Sequence, residues 1–269
     1  MSAASKTLEL LSFFTPAQPE IGLSQLCRLA GRDKATTHRH LQALEETGFV
    51  EQNPLTKRYR LGPAILQLAQ TRELTVPRKD GVDAPLRALA DATGETTHAS
   101  ILSGTVLYKL MAYESPRHSI RVVIDIETFP LHATASGLCA LAFGPGPLLD
   151  VARRPLTPFT PSTIDSADAL TSAIEATRAT GFGRALGTFE TDVHSIAAPL
   201  FDPAGFLAGA VSVASVATRF TPELEARIKT HLVTASRNIT HNWGGTIPAN
   251  VENAWAHAVA QSKDLEPTP

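Results

Sequence analysis

Residues 32–44, RDKATTHRHLQAL, gather two histidines, two arginines, a lysine and two threonines into one short run. Three chemistries could use them: an ordinary solvated helix, a metal site on His38 and His40, or a surface that lies against something acidic. On a helix, positions i and i+2 do not face each other, and no third ligand lies near, so the metal reading is weak and no cofactor is implied. Thr37, Leu41 and Leu44 fall at i, i+4 and i+7 and predict the buried stripe. With about 100° between successive residues, Lys34, Ala35, His38, Arg39 and Gln42 then lie on the opposite side, and Thr36 stands beside them. Arginine reads guanine edges, glutamine pairs with adenine, and threonine methyls meet thymine methyls. Lys57, Arg58 and Arg60 follow in FVEQNPLTKRYRL, a basic hairpin that could hold phosphates or enter a minor groove. The bland alternative is a small helical domain with solvated charges that docks on a protein.

Hydroxyls mark a second place. HATASG, His132–Gly137, puts Thr134 and Ser136 at a helix start, where unpaired N–H groups and the helix dipole favour an anion. A carboxylate ligand would suit it; simple helix capping is the rival. Enzyme patterns are poor. GFGRALG, Gly181–Gly187, has one residue too many for a dinucleotide fingerprint and follows a helix, so it reads as a helix stop running into a strand. His194 and Ser195 are neighbours on one strand and point to opposite sides. Cys139, inside the apolar run LCALAF, reads as core. His98, His118 and His132 show no spacing that would bring them together.

The elements that must position these groups divide the chain. The net charge is −2, so nucleic-acid contact requires a local patch. Residues 1–68 hold eight lysines and arginines against six acids, a local +2. They read as helix, helix, tight turn, helix and hairpin. Leu8, Leu11 and Phe14 line the first helix, and Leu26, Leu29 and Ala30 the second, with Ser24 as its N-cap. A further helix runs from Gly62 to about Val76, with Ile65, Leu68 and Ala69 on one side and Pro77 closing it. The boundary is expected within PRKDGVD. Beyond it, APLRALADATG is a helix. THASILSGTVLYKLMAYE is a hairpin turning at Ser103–Gly104, and SIRVVIDI a third strand. TASGLCALAF and DSADALTSAIEATRATGF are helices, the latter burying Leu170, Ile174 and Thr177. GRALGTFE, HSIAAPLF and FLAGAVSVAS are strands. A long helix from Thr221 buries Leu224, Ile228, Leu232 and Ile239. The expected fold is α+β, with a largely antiparallel sheet covered by helices and a poorly packed tail after Gly245. The two cysteines, Cys27 and Cys139, form no CxxC and suit a reducing compartment. No stretch approaches the roughly 18 apolar residues of a membrane span, and the N-terminus lacks a signal h-region, so a cytoplasmic location without membrane partners is expected.

Nearly all of the first segment, KTLELLSFF…LSQLCRLAGRDKATTHRHLQALEETGFVEQNPLTKRYRLGPAILQLA, resembles the winged helix-turn-helix of the IclR family of bacterial transcriptional regulators. FPLHATASGLCALA and GFGRALGTFETDVHSIAAPLFDPAGFLAGAVSVASVATRFTPE resemble that family's effector domain. The resemblance spans roughly residues 5–243. It implies a winged helix-turn-helix over 1–62, a linker helix over 63–77, a GAF-like effector domain over 78–245 and a tail over 246–269. It also implies homodimers or homotetramers on a palindromic double-stranded operator, and an effector site at Thr134, Ala135, Ser136, Gly137, Asp192, Ser195 and Ser212. DNA contacts are expected from Lys34, Thr36, His38, Arg39, Gln42, Lys57 and Arg58. Several family positions differ. Ala185, Gly187 and Thr188 stand where acids are frequent, Asp192 where glycine is, Ser195 where cysteine is, and Ala214 where a second serine sometimes occurs. A larger or less acidic ligand than a small keto acid is therefore expected, unless the second domain only oligomerises or is a tethered enzyme.

Overall fold

The computed structural model describes residues 2–15, 18–75, 78–152 and 156–263. It divides into two compact units, Met1–Pro77 and Arg78–Pro269.

In the first unit, α1 (Ala3–Glu9) is capped by the Ser2 side chain and tightens into a 3-10 turn over Leu10–Phe13. That tightening rotates the apolar face. Leu10 and Phe14 are buried while Leu8 is 57% exposed, so the buried stripe does not run through Leu8 as expected. Next comes α2 (Leu23–Ala30), whose N-cap is Gly22 rather than Ser24; Leu26 is buried, but Leu29 faces outward. Gly31 closes α2 in the left-handed region at φ +61°, a conformation that favours glycine. Then α3 (Lys34–Glu46) starts at Asp33, whose carboxylate accepts the Thr36 amide hydrogen at 2.9 Å. The hydrogen bond holds that carboxyl below its ordinary value. Thr37, Leu41 and Leu44 are buried, in line with their spacing. The strands β1 (Val50–Gln52) and β2 (Tyr59–Leu61) pair antiparallel with Val50 opposite Leu61. Leu10, Phe14, Ile21, Leu26, Leu41, Leu44, Val50 and Tyr59 form one core. Beyond it, α4 covers Pro63–Thr75 with Leu66, Leu68 and Ala69 exposed. The expected helix end at Val76 and Pro77 lies outside the described residues.

The second unit begins with α5 (Asp80–Thr93), which starts inside the stretch expected to be a polar connection. The hairpin β3 (Thr96–Ser103) and β4 (Val106–Tyr113) turns at Gly104 as expected. The helices α6 (Ala135–Phe143), α7 (Pro147–Ala152, not foreseen) and α8 (Ala167–Thr180) follow. The remaining elements are β5 (Gly183–Leu186), β6 (Val193–Phe201), β7 (Leu207–Val216), α9 (Pro222–Asn242) and α10 (Ala249–Lys263). The five strands make one sheet in the order β4-β3-β7-β6-β5, every pair antiparallel.

Alternation along the strands gives the sheet two different faces. Ala99, Ile196, Ala198, Leu200, Val211 and Val213 pack with Leu86 and Leu89 of α5 and with Leu224, Ile228, Leu232 and Ile239 of α9. On the other face Ala185, Ala197 and Ala210 meet Ala135 and Cys139 of α6. Small residues there let the helix backbone approach closely. A Cβ on Gly183 would stand 2.1 Å from the Ala135 carbonyl oxygen, so only glycine fits. That explains GFGRALG: Gly181 stops α8 and Gly183 admits α6. Burial pushes the Cys139 thiol up to about 12, and it stays an uncharged core group.

Two expectations fail here. SIRVVIDI is not a strand; near it, among the described residues, only Thr128 makes an isolated bridge, to Tyr108. Its alternation is real, because Val122 is buried and Val123 exposed, but the inward side chains face a cavity rather than a neighbouring strand. Within the described part of the segment after Gly245, α10 is well packed, burying Val251 and Trp255 to 1% exposure each. The apolar periodicity of VENAWAHAVA is helical, and it outweighs the tendency of chain ends to pack loosely.

Candidate DNA-contact surface and effector cavity

In the first unit, the side chains of residues 32–44 separate by direction. Arg32 pairs with Glu9 and donates to the Lys6 carbonyl at 2.8 Å, tying the α2–α3 turn to α1. His40 is buried, with its Nδ1 2.7 Å from the Thr7 hydroxyl. Burial, with nearby Arg39, Arg32 and Lys6, lowers its pKa, so it is neutral. His38 points to solvent, so the two histidines do not converge on a metal position. Lys34, His38, Arg39 and Gln42 are exposed, and among the described residues none of these side chains is held by a hydrogen bond or ion pair. Thr36 is half-buried, its amide committed to the Asp33 cap. One face of α3 is thus a set of uncommitted donors on a helix fixed from behind.

On the hairpin, Asn53 accepts amide hydrogens from Leu55 and Thr56, which shapes the turn. Lys57 takes φ +56° there, and its side chain is exposed. Arg58 donates to the Glu20 carbonyl at 2.6 Å and Arg60 is paired with Glu51, so Lys57 is the least engaged of the three. Leu55 stands 91% exposed at the tip.

In the second unit a cavity of about 510 Å³, counted out to its open mouth, lies between the α6 face of the sheet and the segment around Val122–Phe129. Thr134, Ala135, Ser136, Ser195 and Ser212 all line it. Gly137 and Asp192 do not: Gly137 packs against the Pro130 and Leu131 backbone, and Asp192 is exposed. Thr134 is a cap, its hydroxyl oxygen accepting the Gly137 amide hydrogen at 3.0 Å while its hydrogen goes to the Pro130 carbonyl. Ser212 donates to the Ile196 carbonyl at 3.0 Å. Ser195 lies opposite Ala185 and Ala214, with no hydrogen bond to its hydroxyl among the described residues. His194, on the other side of that strand, packs edge-on against Phe220.

The residue that sequence reasoning does not single out for this site is His98. It sits beside Ser212 in the sheet, 4% exposed, with Nε2 3.1 Å from the Ser136 hydroxyl. Its ring stacks on Phe129 at 4.6 Å between centroids. Burial, with a smaller effect of Lys109, lowers its pKa to about 3, so it is neutral, and its buried Nδ1 has no hydrogen-bond partner within the described residues. His118 lies instead 4.0 Å from Glu95, and His132 bonds the Thr157 carbonyl, so the three histidines have separate surroundings. Val122, Ile124 and Phe129 supply apolar wall, and Asp125 and Glu190 stand at the mouth. Alternation in RVVIDI is the available signal for the wall; nothing local points to Glu190.

A helix-turn-helix with a small wing, joined in one chain to a five-stranded antiparallel sheet that carries a cavity, defines a transcriptional regulator with a sensing domain. The model of the IclR helix-turn-helix domain matches residues 3–54, and that of the bacterial transcriptional regulator IclR C-terminal domain matches residues 79–241. The chain therefore belongs to the IclR family: a DNA-binding transcriptional regulator with an effector-binding C-terminal domain. A solved structure of a candidate IclR regulator from Silicibacter sp. TM1040 is 40% identical, covers 93% of this chain and 99% of its own, and superposes with a TM-score of 0.88. XynR of Escherichia coli K12 is 27% identical over 81% of this chain and 88% of its own length. The glycerol operon regulatory protein of Streptomyces griseus is 29% identical over 88% of this chain and 93% of its own. Among the described residues, no helix is long and apolar enough to cross a membrane.

Proposed function

We propose that α3 enters the major groove of a palindromic operator. Lys34, Thr36, His38, Arg39 and Gln42 face the DNA, with Lys57 and Arg58 of the wing on the adjacent backbone. The observation that carries this is the uncommitted donor face of α3, held by His40, Leu41 and Leu44 from behind. A homodimer or homotetramer acting in the cytoplasm would place two such helices about one DNA turn apart, or a multiple of it. The cavity takes a small-molecule effector. Binding can shift the pairing of the two DNA-binding units only if the effector prefers one arrangement over the other. The cavity with an unsatisfied buried nitrogen favours a working sensor over a domain that only oligomerises.

The first test is anisotropy titration on DNA upstream of the chain's own gene and its neighbours, across a salt series, with and without candidate effectors. Arg39→Ala is expected to weaken specific binding by about 1–3 kcal/mol while thermal unfolding is unchanged; an unaltered affinity would remove α3 from the groove. Changing Lys57 and Arg58 together to alanine is expected to weaken binding to all sequences. The salt slope should fall by about one unit for each phosphate that is no longer neutralised. Most of this effect should come from Lys57, because Arg58 is partly held by Glu20. A salt slope equal to that of the unaltered protein would place the wing off the DNA.

A further inference from the structure

Building on the reading of this cavity as the effector site, we propose that its effector is an amine-bearing small molecule, with the ammonium at the mouth between Asp125 and Glu190 and a hydroxyl or carbonyl reaching His98 and Ser195. Asp125 and Glu190 both line the mouth, and among the described residues no lysine or arginine lines the cavity. The cation felt by His98 is Lys109, and its ammonium is already taken by Glu127 at 2.8 Å and the Ile124 carbonyl at 3.4 Å. Partial burial and the negative charge of Asp125 together hold the Glu190 carboxyl above its ordinary value. The mouth therefore holds two repelling carboxylates with no neutralising partner among the described residues, which a bound cation would relieve and an anion would aggravate.

The interior supports the same assignment. A carboxylate entering it would meet a neutral imidazole rather than an imidazolium. The start of α6 offers less than a bare helix end, because the Gly137 amide is already capped by Thr134. What the interior does offer is suited to an uncharged polar group: the buried Nδ1 of His98 lacks a partner, and Ser195 lines the same space. Whichever way the proton lies between His98 and Ser136, Nδ1 is left as one unsatisfied donor or acceptor. Val122, Ile124 and Phe129 then enclose an apolar body between the two polar ends.

Three probes share a phenol ring and differ only at the tip: tyramine, 4-ethylphenol and 3-(4-hydroxyphenyl)propanoate. Calorimetry on the full chain should rank them ammonium, neutral, anion. Asp125→Asn with Glu190→Gln should weaken tyramine about 3- to 10-fold, as expected for two partly exposed charge contacts, and leave 4-ethylphenol within about twofold. Neither carboxylate has an ion-pair partner to lose among the described residues, so thermal unfolding of the double variant should come no earlier than that of the unaltered protein. Equal or tighter binding of the propanoate would overturn the proposal. So would tyramine binding unchanged in the double variant, or binding of none of the three. Titration of operator DNA in parallel separates the two readings. Tyramine that binds with the predicted charge dependence but leaves operator affinity unchanged would refute the effector role while upholding the charge assignment.

Discussion

Glu95→Ala is expected to cost about 3 kcal/mol of stability, the lower end of the range for breaking a buried ion pair. Glu95 is 2% exposed and accepts two hydrogen bonds from Arg219, from Nε at 2.9 Å and Nη2 at 2.7 Å. The carboxylate holds the Arg219 guanidinium above its ordinary pKa. Truncation strips a largely buried cation of its counter-ion. Among the described residues Arg219 keeps the Ile120 carbonyl, at 2.9 Å, and some solvent, which is why the low end applies. The double change Glu95→Ala with Arg219→Ala should recover part of the loss, because removing both charges leaves no orphan. Urea unfolding measures all three proteins, and a single-variant cost below about 1 kcal/mol would show that water replaces the carboxylate without penalty. A functional effect accompanies the structural one. Arg219 anchors Ile120, and Thr96 donates to the Val122 carbonyl at 2.6 Å, so together they hold the segment that walls the cavity. Ligand affinity should therefore fall in the same variant.

Trp255→Ala should cost about 3–5 kcal/mol, the usual range for truncating a buried aromatic. The indole is 1% exposed, lies 6.2 Å from the Phe182 ring between centroids, and donates to the Gly181 carbonyl at 2.8 Å. Alanine would leave a void beside the point where α8 gives way to β5 and would orphan that carbonyl. Trp255→Phe keeps most of the packing and loses the hydrogen bond, so it should cost clearly less. Calorimetric unfolding distinguishes them, and equal, small losses would mean that α10 is a dispensable appendage. The result bears directly on a segment whose position near the chain end suggests a loose tail.

Where the sequence is legible and where it misleads have a common physical origin. Periodicity reports which side of an element is buried, and it does so for Thr37, Leu41 and Leu44, for Leu170, Ile174 and Thr177, and for the long stripe of α9. Once one side of α3 is buried, the other is fixed by geometry, so the outward residues of that helix are legible from the sequence alone. Turn chemistry is legible where one residue type is required, as at Gly31 and Gly104. The family resemblance, carried by local motifs, likewise requires no tertiary information.

Periodicity does not report which distant segment provides the burial. RVVIDI alternates as a strand would, but its partner is a cavity. His98 meets Ser136 across 38 residues, and Glu190 feels Asp125 across 65. HATASG advertises an anion site because a helix start carries positive potential. The tertiary structure adds groups that the motif does not show: Thr134 caps that start, a neutral histidine is buried beside it and two carboxylates line the same cavity. Electrostatic character belongs to the assembled set of charges around a space. The sequence alone determined which residues α3 turns outward and the class of fold, because both follow from local spacing. Only the tertiary structure decided the chemistry of the cavity, because its walls come from segments that have no local reason to meet.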